Sequence, residues 1–413
     1  MINTLIRNGT LIDGTGGDIL PNACILLEDN RIKSVGYAAD LPFPPDPYHE
    51  IDASGGFILP GFIDAHVHIM FESSSIEHEI TTHFSMRFFN AIQYMRRTID
   101  AGITSIRDAG GADLGVKQAV DTGLILGPRM QISISPLSIT GGHGDGWMHS
   151  GVDFNTSPAY PGYPDGICDG VDAVRKKVRE VLRAGAEVIK ICSTGGVLSP
   201  TDKPEFTQFS PEELDVIVRE ASYRSGIKVM SHAQGADGIK NAVRAGIHSI
   251  EHGIFLDDEG IELMLAHGTF LVPTLLALTA VLEAAEKGNM PEYGIRKARE
   301  VMKIHGESVS KAYKAGVKIA MGTDSGVGPH GTNLRELDLL VKIGMSPMEA
   351  IVATTRTAAE CLGWQDQLGT IESGKLADIV ITRTNPLDDI ASLENQDNIL
   401  VVIKDGKVVK DLR

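Results

Sequence analysis

One phrase recurs through the middle of this chain: a helix-like stretch ends in Ala-Gly, and a short β-branched strand follows. "DAGITSIRD" (100–108), "RAGAEVIKI" (183–191), "RAGIHSIEH" (244–252) and "KAGVKIAMGTD" (314–324) carry it in full, and "SGIKVMSHA" (225–233) is a looser fifth copy. Glycine just past a helix end takes the left-handed conformation at little cost, so each Ala-Gly marks a helix C-terminus. The helix ahead of the fifth copy has its start written out as well. Ser210 sits at the N-cap, Pro211 at the first helical position and Glu213 three residues after the cap. "AVRKKVREVL" spaces Val174, Val178, Val181 and Leu182 along one face of an amphipathic helix.

With "FILPGFIDAHVHI", "RMQISIS" and "TFLVPTL" added, the middle offers eight strands alternating with helices. Eight such units predict an α/β fold of the (β/α)8 TIM-barrel type, and a doubly wound open sheet is the alternative reading of the same alternation. The ends read differently. Residues 1–58 are short strands broken by turns, and "ADIVITR" and "ILVVIKDGKVVKDL" near the C-terminus resemble them. The predicted organisation is a small composite β-sandwich domain formed by both termini, 1–58 and 365–413, around a barrel over 59–364.

Composition excludes several classes. At 413 residues, 42% apolar and 22% charged, the chain is globular rather than disordered. A formal charge of −16 would repel nucleic acid and anionic membranes, so neither is expected as a partner. No apolar run approaches a membrane span, and "MINTLIRNGT" reads as a first strand rather than a signal peptide. The four cysteines are widely spaced and form no CxxC pair, which points to buried thiols in a reducing, cytoplasmic setting.

Functional groups of such a barrel gather at the C-terminal ends of its strands. That end offers His66 and His68 on the first strand, Lys190 on the fourth, His232 on the fifth, His252 on the sixth and Asp324 on the eighth. Residues i and i+2 of a strand point the same way, so His66 and His68 can reach one ion. Imidazole and carboxylate suit zinc, with Mn, Fe or Co as alternatives. Two metals flanking one hydroxide would supply a nucleophile at neutral pH and a Lewis acid for a carbonyl. Each residue alone has a plainer reading: a core histidine, a turn aspartate, a snorkelling lysine. Those readings fail jointly, because unrelated histidines have no reason to fall at successive strand ends of one repeat.

"FIDAHVHI", "IKICSTGG", "VMSHA", "IEHG" and "GTDS", with "RDAGG" (107–111), "TGGHGD" (140–145) and "GTIESGKLADIVI", resemble the amidohydrolase superfamily in order and spacing. The resemblance is nearest to its imidazolonepropionase-like, prolidase and carboxypeptidase-type branch and covers essentially the whole chain. It implies a binuclear site, with His66, His68 and Asp324 on the more buried metal and His232 and His252 on the other. Lys190 would bridge the two ions as a carbamate formed with CO2. It also implies that a metal-bridging hydroxide attacks a scissile amide while Asp324 serves as general base and then acid. His143 would hydrogen-bond the substrate carbonyl and the developing oxyanion.

Gln234 stands where prolidase-like relatives often carry tyrosine and basic-residue carboxypeptidases histidine, at the substrate's carboxylate end. The implied reaction releases a C-terminal amino acid from a dipeptide or N-acyl amino acid. Hydrolysis of a cyclic amide, lactone or aryl amide is the second enzymatic reading, and a non-catalytic scaffold the third. Deamination is disfavoured because Gly235 occupies a position where those relatives usually place a glutamate. By analogy the chain is expected to form a homo-oligomer. Residues 140–170 make a long loop whose Trp147, Met148, Tyr160 and Tyr163 are candidate pocket residues, as are His330 and Asn333.

Overall fold

The computed structural model describes residues 3–41, 48–72, 78, 81–154 and 159–413, so residues 155–158 of the long loop lie outside the described residues. In chain order the strands are β1 (Asn3–Leu11), β2 (Leu20–Glu28), β3 (Arg31–Tyr37), β4 (Tyr48–Asp52) and β5 (Phe57–Pro60). Then follow β6 (Phe62–Val67), β7 (Ile103–Asp108), β8 (Arg129–Ile132), β9 (Val188–Cys192), β10 (Lys228–Ala233), β11 (Ser249–His252) and β12 (Phe270–Val272). The chain closes with β13 (Ile379–Thr382), β14 (Ile399–Lys404) and β15 (Lys407–Asp411).

Both ends of the chain meet in one sheet. Eight strands order as β15-β14-β13-β5-β1-β2-β3, with β4 alongside β1. The N- and C-terminal parts join where β13 runs antiparallel to β5 and Ile379 faces Pro60. Ile6, Leu11, Ile25, Ile58, Ile379 and Val401 belong to a core of this sheet's own. The two-layered sandwich expected from the sequence is here a single recorded sheet.

The middle holds two parallel sheets, β6-β7-β8 and β9-β10-β11-β12. Backbone bonds reach between them at both ends. Leu137 N–H donates to Lys190 O at 2.9 Å on one side, and Leu271 N–H to Lys318 O at 2.9 Å and Ala65 N–H to Met321 O at 2.9 Å on the other. The expected eighth strand is thereby reduced to isolated bridges at Ile319 and Ser325. Its ladder is interrupted because Met321 N–H donates to Ala353 O, at the end of the helix Pro347–Thr354, at 2.9 Å, and Asp324 turns to φ 58°.

The Ala-Gly punctuation works as read. Gly102, Gly185, Gly246 and Gly316 sit at φ 88°, 104°, 89° and 95°, and Gly226 at 72°. Ser210 and Glu213 form a complete capping box, and Val174, Val178, Val181 and Leu182 are the buried face of their helix. All four cysteines are free and buried, and no helix among the described residues is long and apolar enough to cross a membrane.

Arg129, at the start of β8, ties this middle part to the terminal sheet. Its guanidinium meets the buried Asp378 at 2.6 Å, contacts Asp405, and donates to Ser105 Oγ at 3.1 Å. Removing one partner of a buried pair strands the other charge. Arg129→Met should therefore cost about 3 kcal/mol, read as a lowered thermal unfolding midpoint. An unchanged midpoint would show that the two parts hold together without this pair.

Candidate functional site

The six candidate ligands, His66, His68, Lys190, His232, His252 and Asp324, line one cavity of about 420 Å³ together with His143 and Gln234. His66 ends its strand on the same face as His68 just beyond it, and the turn at Asp324 docks there through Asp324 N–H to His66 O at 2.7 Å. Lys190 lies on β9 opposite Met230, while His232 is the last residue but one of β10 and His252 closes β11. Lys190 Nζ is 3.3 Å from His66 Nε2. Asp324 Oδ1 lies 3.5 Å from His66 Nε2 and 3.3 Å from His68 Nε2. Ligand atoms of His66, His252 and Asp324 all fall within 4.8 Å of one another.

Each imidazole has one nitrogen tied to the protein, which aims the other. His66 Nδ1 meets Glu251 Oε2 at 2.6 Å, His68 Nδ1 meets Gly110 O at 2.8 Å, and His252 Nδ1 meets Thr274 Oγ1 at 2.7 Å. These three therefore offer Nε2, whereas His232, held through Nε2 to Gly195 O at 3.1 Å, offers Nδ1. The backbone is bent to serve this arrangement. His252, Thr274 and Asp324 sit at φ 71°, 49° and 58°, a left-handed region that non-glycine residues occupy at a cost.

The electrostatics favour ligation. Burial holds His66, His232 and His252 well below the usual imidazole range, so they stay neutral, and burial lowers Lys190 as well. Burial also opposes a charge on His68, but Asp324 outweighs it and leaves that ring raised. For Asp324 burial would favour the neutral acid, yet His66, His68 and Lys190 hold its carboxyl well below the usual range.

Asp324 Oδ1 is buried and has no hydrogen-bond partner. A bare carboxylate oxygen facing bare imidazole nitrogens is an arrangement that a divalent cation completes, so the residues fit a metal.

His143 stacks on His232 with ring centroids 4.0 Å apart, and its Nδ1 meets Ser199 Oγ at 2.9 Å. Gln234 Oε1 is buried without a partner at the cavity wall. One flank is apolar, built from Val197, Leu198, Ile254, Leu278, Val281 and Met290. Of the long loop, Met148 and Phe154 reach the cavity beside His143 and residues 144–146, and Phe154 was not among the residues named from the sequence. Trp147 is exposed, and Tyr160 stacks on Tyr163 at 5.1 Å and packs on Phe84 at 5.3 Å, at the rim rather than in the cavity. His330 and Asn333 do not line it either. His330 bonds Phe71 O at 2.8 Å, and Asn333 donates to Asp64 Oδ2 at 2.7 Å, both behind the site.

The sequence reading missed the layer beneath the ligands. Glu251 also accepts from Arg107 at 2.9 Å and from Ser249 Oγ at 2.6 Å, and all three are buried. Asp64 accepts from Thr323 Oγ1 at 2.6 Å, and burial pushes its carboxyl up to about 6. The readable signal was a charge on the inward face of an otherwise apolar strand, as Asp64 stands two residues before His66.

Thr274→Val keeps the size of the side chain and removes the partner of His252 Nδ1. It should weaken zinc retention about 10-fold, measured by competition with a chelator. Unaltered retention would show that the His252 ring is held by packing alone.

The comparisons with known proteins agree with one another. Residues 57–409 match the model of the Amidohydrolase family. Ochratoxinase of Aspergillus niger is 36% identical, the match covering 98% of this chain and 86% of that protein. Imidazolonepropionase of Hyphomonas neptunium is 25% identical over 92% of each chain. Among solved structures, a Xaa-Pro dipeptidase with methionine bound in its active site superposes with a TM-score of 0.90 at 37% identity, covering 99% of this chain and 100% of that one. A prolidase complexed with N-methylphosphonate-L-proline gives 0.91 at 34%, with the same coverage.

Proposed function

Since the chain belongs to the amidohydrolase family, a metal-dependent family of hydrolases, we propose that its site is binuclear and releases a C-terminal amino acid from a dipeptide or N-acyl amino acid. That the protein is a hydrolase acting on amide bonds follows from the family and its relatives. The observation that carries the finer reading is the partnerless Asp324 Oδ1 set among imidazoles and the Lys190 amine on the floor of the cavity. The methionine bound in one similar solved structure and the N-methylphosphonate-L-proline bound in another support the substrate class.

His66, His68 and Asp324 would hold one metal, zinc being the ion this donor set suits first, and His232 and His252 would hold the other. Lys190, buried and without a carboxylate at ion-pair distance among the described residues, is suited to add to CO2 as a neutral amine, releasing one proton to solvent, and as the resulting carbamate would be a further anionic ligand shared by the two metals. When bound, the metals supply a water acidified to near neutrality and a Lewis acid for the scissile carbonyl.

The chain's own groups do the rest. Asp324 accepts a proton at Oδ2, the carboxylate oxygen not turned to His66 and His68, and hands it to the leaving nitrogen. His143 turns Nε2 to the substrate carbonyl oxygen; burial holds the ring below the usual imidazole range, so Nε2 donates only once the ring takes a second proton from solvent as negative charge develops there. Gln234 offers its amide to the carboxylate end, and the apolar flank takes the acyl group or side chain and excludes water. We further propose that the two parallel sheets are arcs of one (β/α)8 barrel over 59–364, on which 1–58 and 365–413 form the second domain. The bonds of Leu137, Leu271 and Ala65 across the gaps support that closure.

Lys190→Ala should bring bound zinc from two equivalents to one or fewer and abolish turnover, measured by elemental analysis and a panel of N-acyl amino acids and dipeptides. Near wild-type turnover in that variant would rule out the bridging role. Activity confined to cyclic amides, lactones or aryl amides would instead move the substrate to that class.

A further inference from the structure

Lys297 is a buried cation with no part in the chemistry above. It projects from the long helix Glu292–Ala315 and spends all three of its protons on one loop. Nζ donates to the backbone carbonyls of Gly196 at 2.9 Å, Ser199 at 2.8 Å and Asp202 at 2.7 Å, and lies 3.6 Å from Asp202 Oδ1. Three carbonyls drawn to one ammonium curl residues 196–202 into a tight turn. That turn delivers Ser199 Oγ and the buried Asp202 to the same side of His143.

The relay has a direction. Ser199 Oγ is in close hydrogen-bond contact with Asp202 Oδ1, and it is the hydroxyl that donates and the carboxyl oxygen that accepts. Gly196 N–H donates to Asp202 Oδ1 at 3.2 Å and Gln208 Nε2 to Oδ2 at 3.3 Å, which fixes that carboxylate in place. Ser199 then has only lone pairs for His143, and Nδ1–H must be the donor across the 2.9 Å contact. Nε2 is left for the cavity. The approach is close enough that a Cβ at Gly196 would come within 2.2 Å of the His143 ring. The helix that supplies Lys297 also starts at the cavity wall, where Pro291 and Tyr293 line it.

We propose that Lys297, acting through Ser199 and Asp202, is the positioning residue that fixes the His143 ring with its proton at Nδ1 and Nε2 toward the substrate. The assignment rests on the reading of His143 as the group that meets the substrate carbonyl. Its test includes a measurement independent of that reading. In zinc-loaded protein labelled with 15N-histidine, a solvent-protected Nδ1–H resonance that vanishes in His143→Asn should also vanish, or exchange at least 10-fold faster, in Lys297→Met and in Ser199→Ala. Absence of that resonance from the unaltered protein, or its persistence in both variants, overturns the proposal.

The kinetic arm uses the fastest N-acyl amino acid of the panel. Lys297→Met should lower kcat about 100-fold, the scale of a misplaced catalytic group, with KM nearly unchanged. It should cost nothing further in a His143→Asn background. Equal losses in both backgrounds would make Lys297 merely structural and sink the proposal. If His143→Asn alone leaves turnover intact, it is the role of His143 that fails, and the resonance still decides whether Lys297 positions the ring.

Discussion

The carboxylate of Glu251 stands between a guanidinium and an imidazole, and the site is built outward from that contact. Arg107 on β7, Glu251 on β11 and His66 on β6 are all buried, and Arg107 also donates through Nε to Ala65 O at 2.7 Å. Taking such charges out of water costs several kcal/mol per ion, and the cost is tolerable only when each polar atom is matched. Here it is. Oε1 accepts from Arg107 and Ser249, and Oε2 meets His66. One hydrogen-bonded chain therefore joins strands from both parallel sheets and settles which nitrogen of His66 faces Asp324 and Lys190.

The same device recurs under the other groups. Asp108 accepts from Gly110 N–H at 3.1 Å and so steadies the residue whose carbonyl, one peptide on, holds His68. Asp64 ties β6 to Thr323, next to Asp324. Glu336 accepts from Leu275 N–H at 2.8 Å and Leu276 N–H at 2.7 Å, fixing the helix start beside Thr274, which in turn holds His252. Buried acids thus form a layer beneath the imidazoles. Burial raises Asp64 and Glu336, the neighbouring Asp64 raises Glu336 further, and the donated hydrogen bonds oppose that rise.

Much of this was legible in the linear sequence because the barrel-like repeat has local punctuation. Ala-Gly fixes where helices stop, and a strand of known start places His232 and His252 without any long-range information. The partners of those residues are another matter. Arg107 and Glu251 are 144 positions apart, and His66 and Glu251 are 185 apart. Either charge could have been solvated at a strand end, and only tertiary packing brings them together. Lys297 was invisible for a related reason, since a lysine on an amphipathic helix ordinarily faces water. The loop tyrosines misled because aromatic residues near a cavity mouth serve packing as readily as binding, and Tyr160 and Tyr163 found each other. The eighth strand was over-read because its β-branched start, Val317 and Ile319, gives no hint that Met321 N–H will be claimed by Ala353.

The sheet shared by the two chain ends sets an order of events during synthesis. β5 lies between β1 and β13, so one of its edges has no neighbour until residues 379–382 have been made. By then every metal-ligating candidate, the last being Asp324, has already left the ribosome. The ligand-bearing middle can collapse around its buried charges while the N-terminal strands still wait with an open edge. A nascent chain halted before β13 would therefore carry every ligand candidate beneath an adhesive, half-built sheet. Completion of the protein is a matter of sealing that edge rather than of supplying ligands.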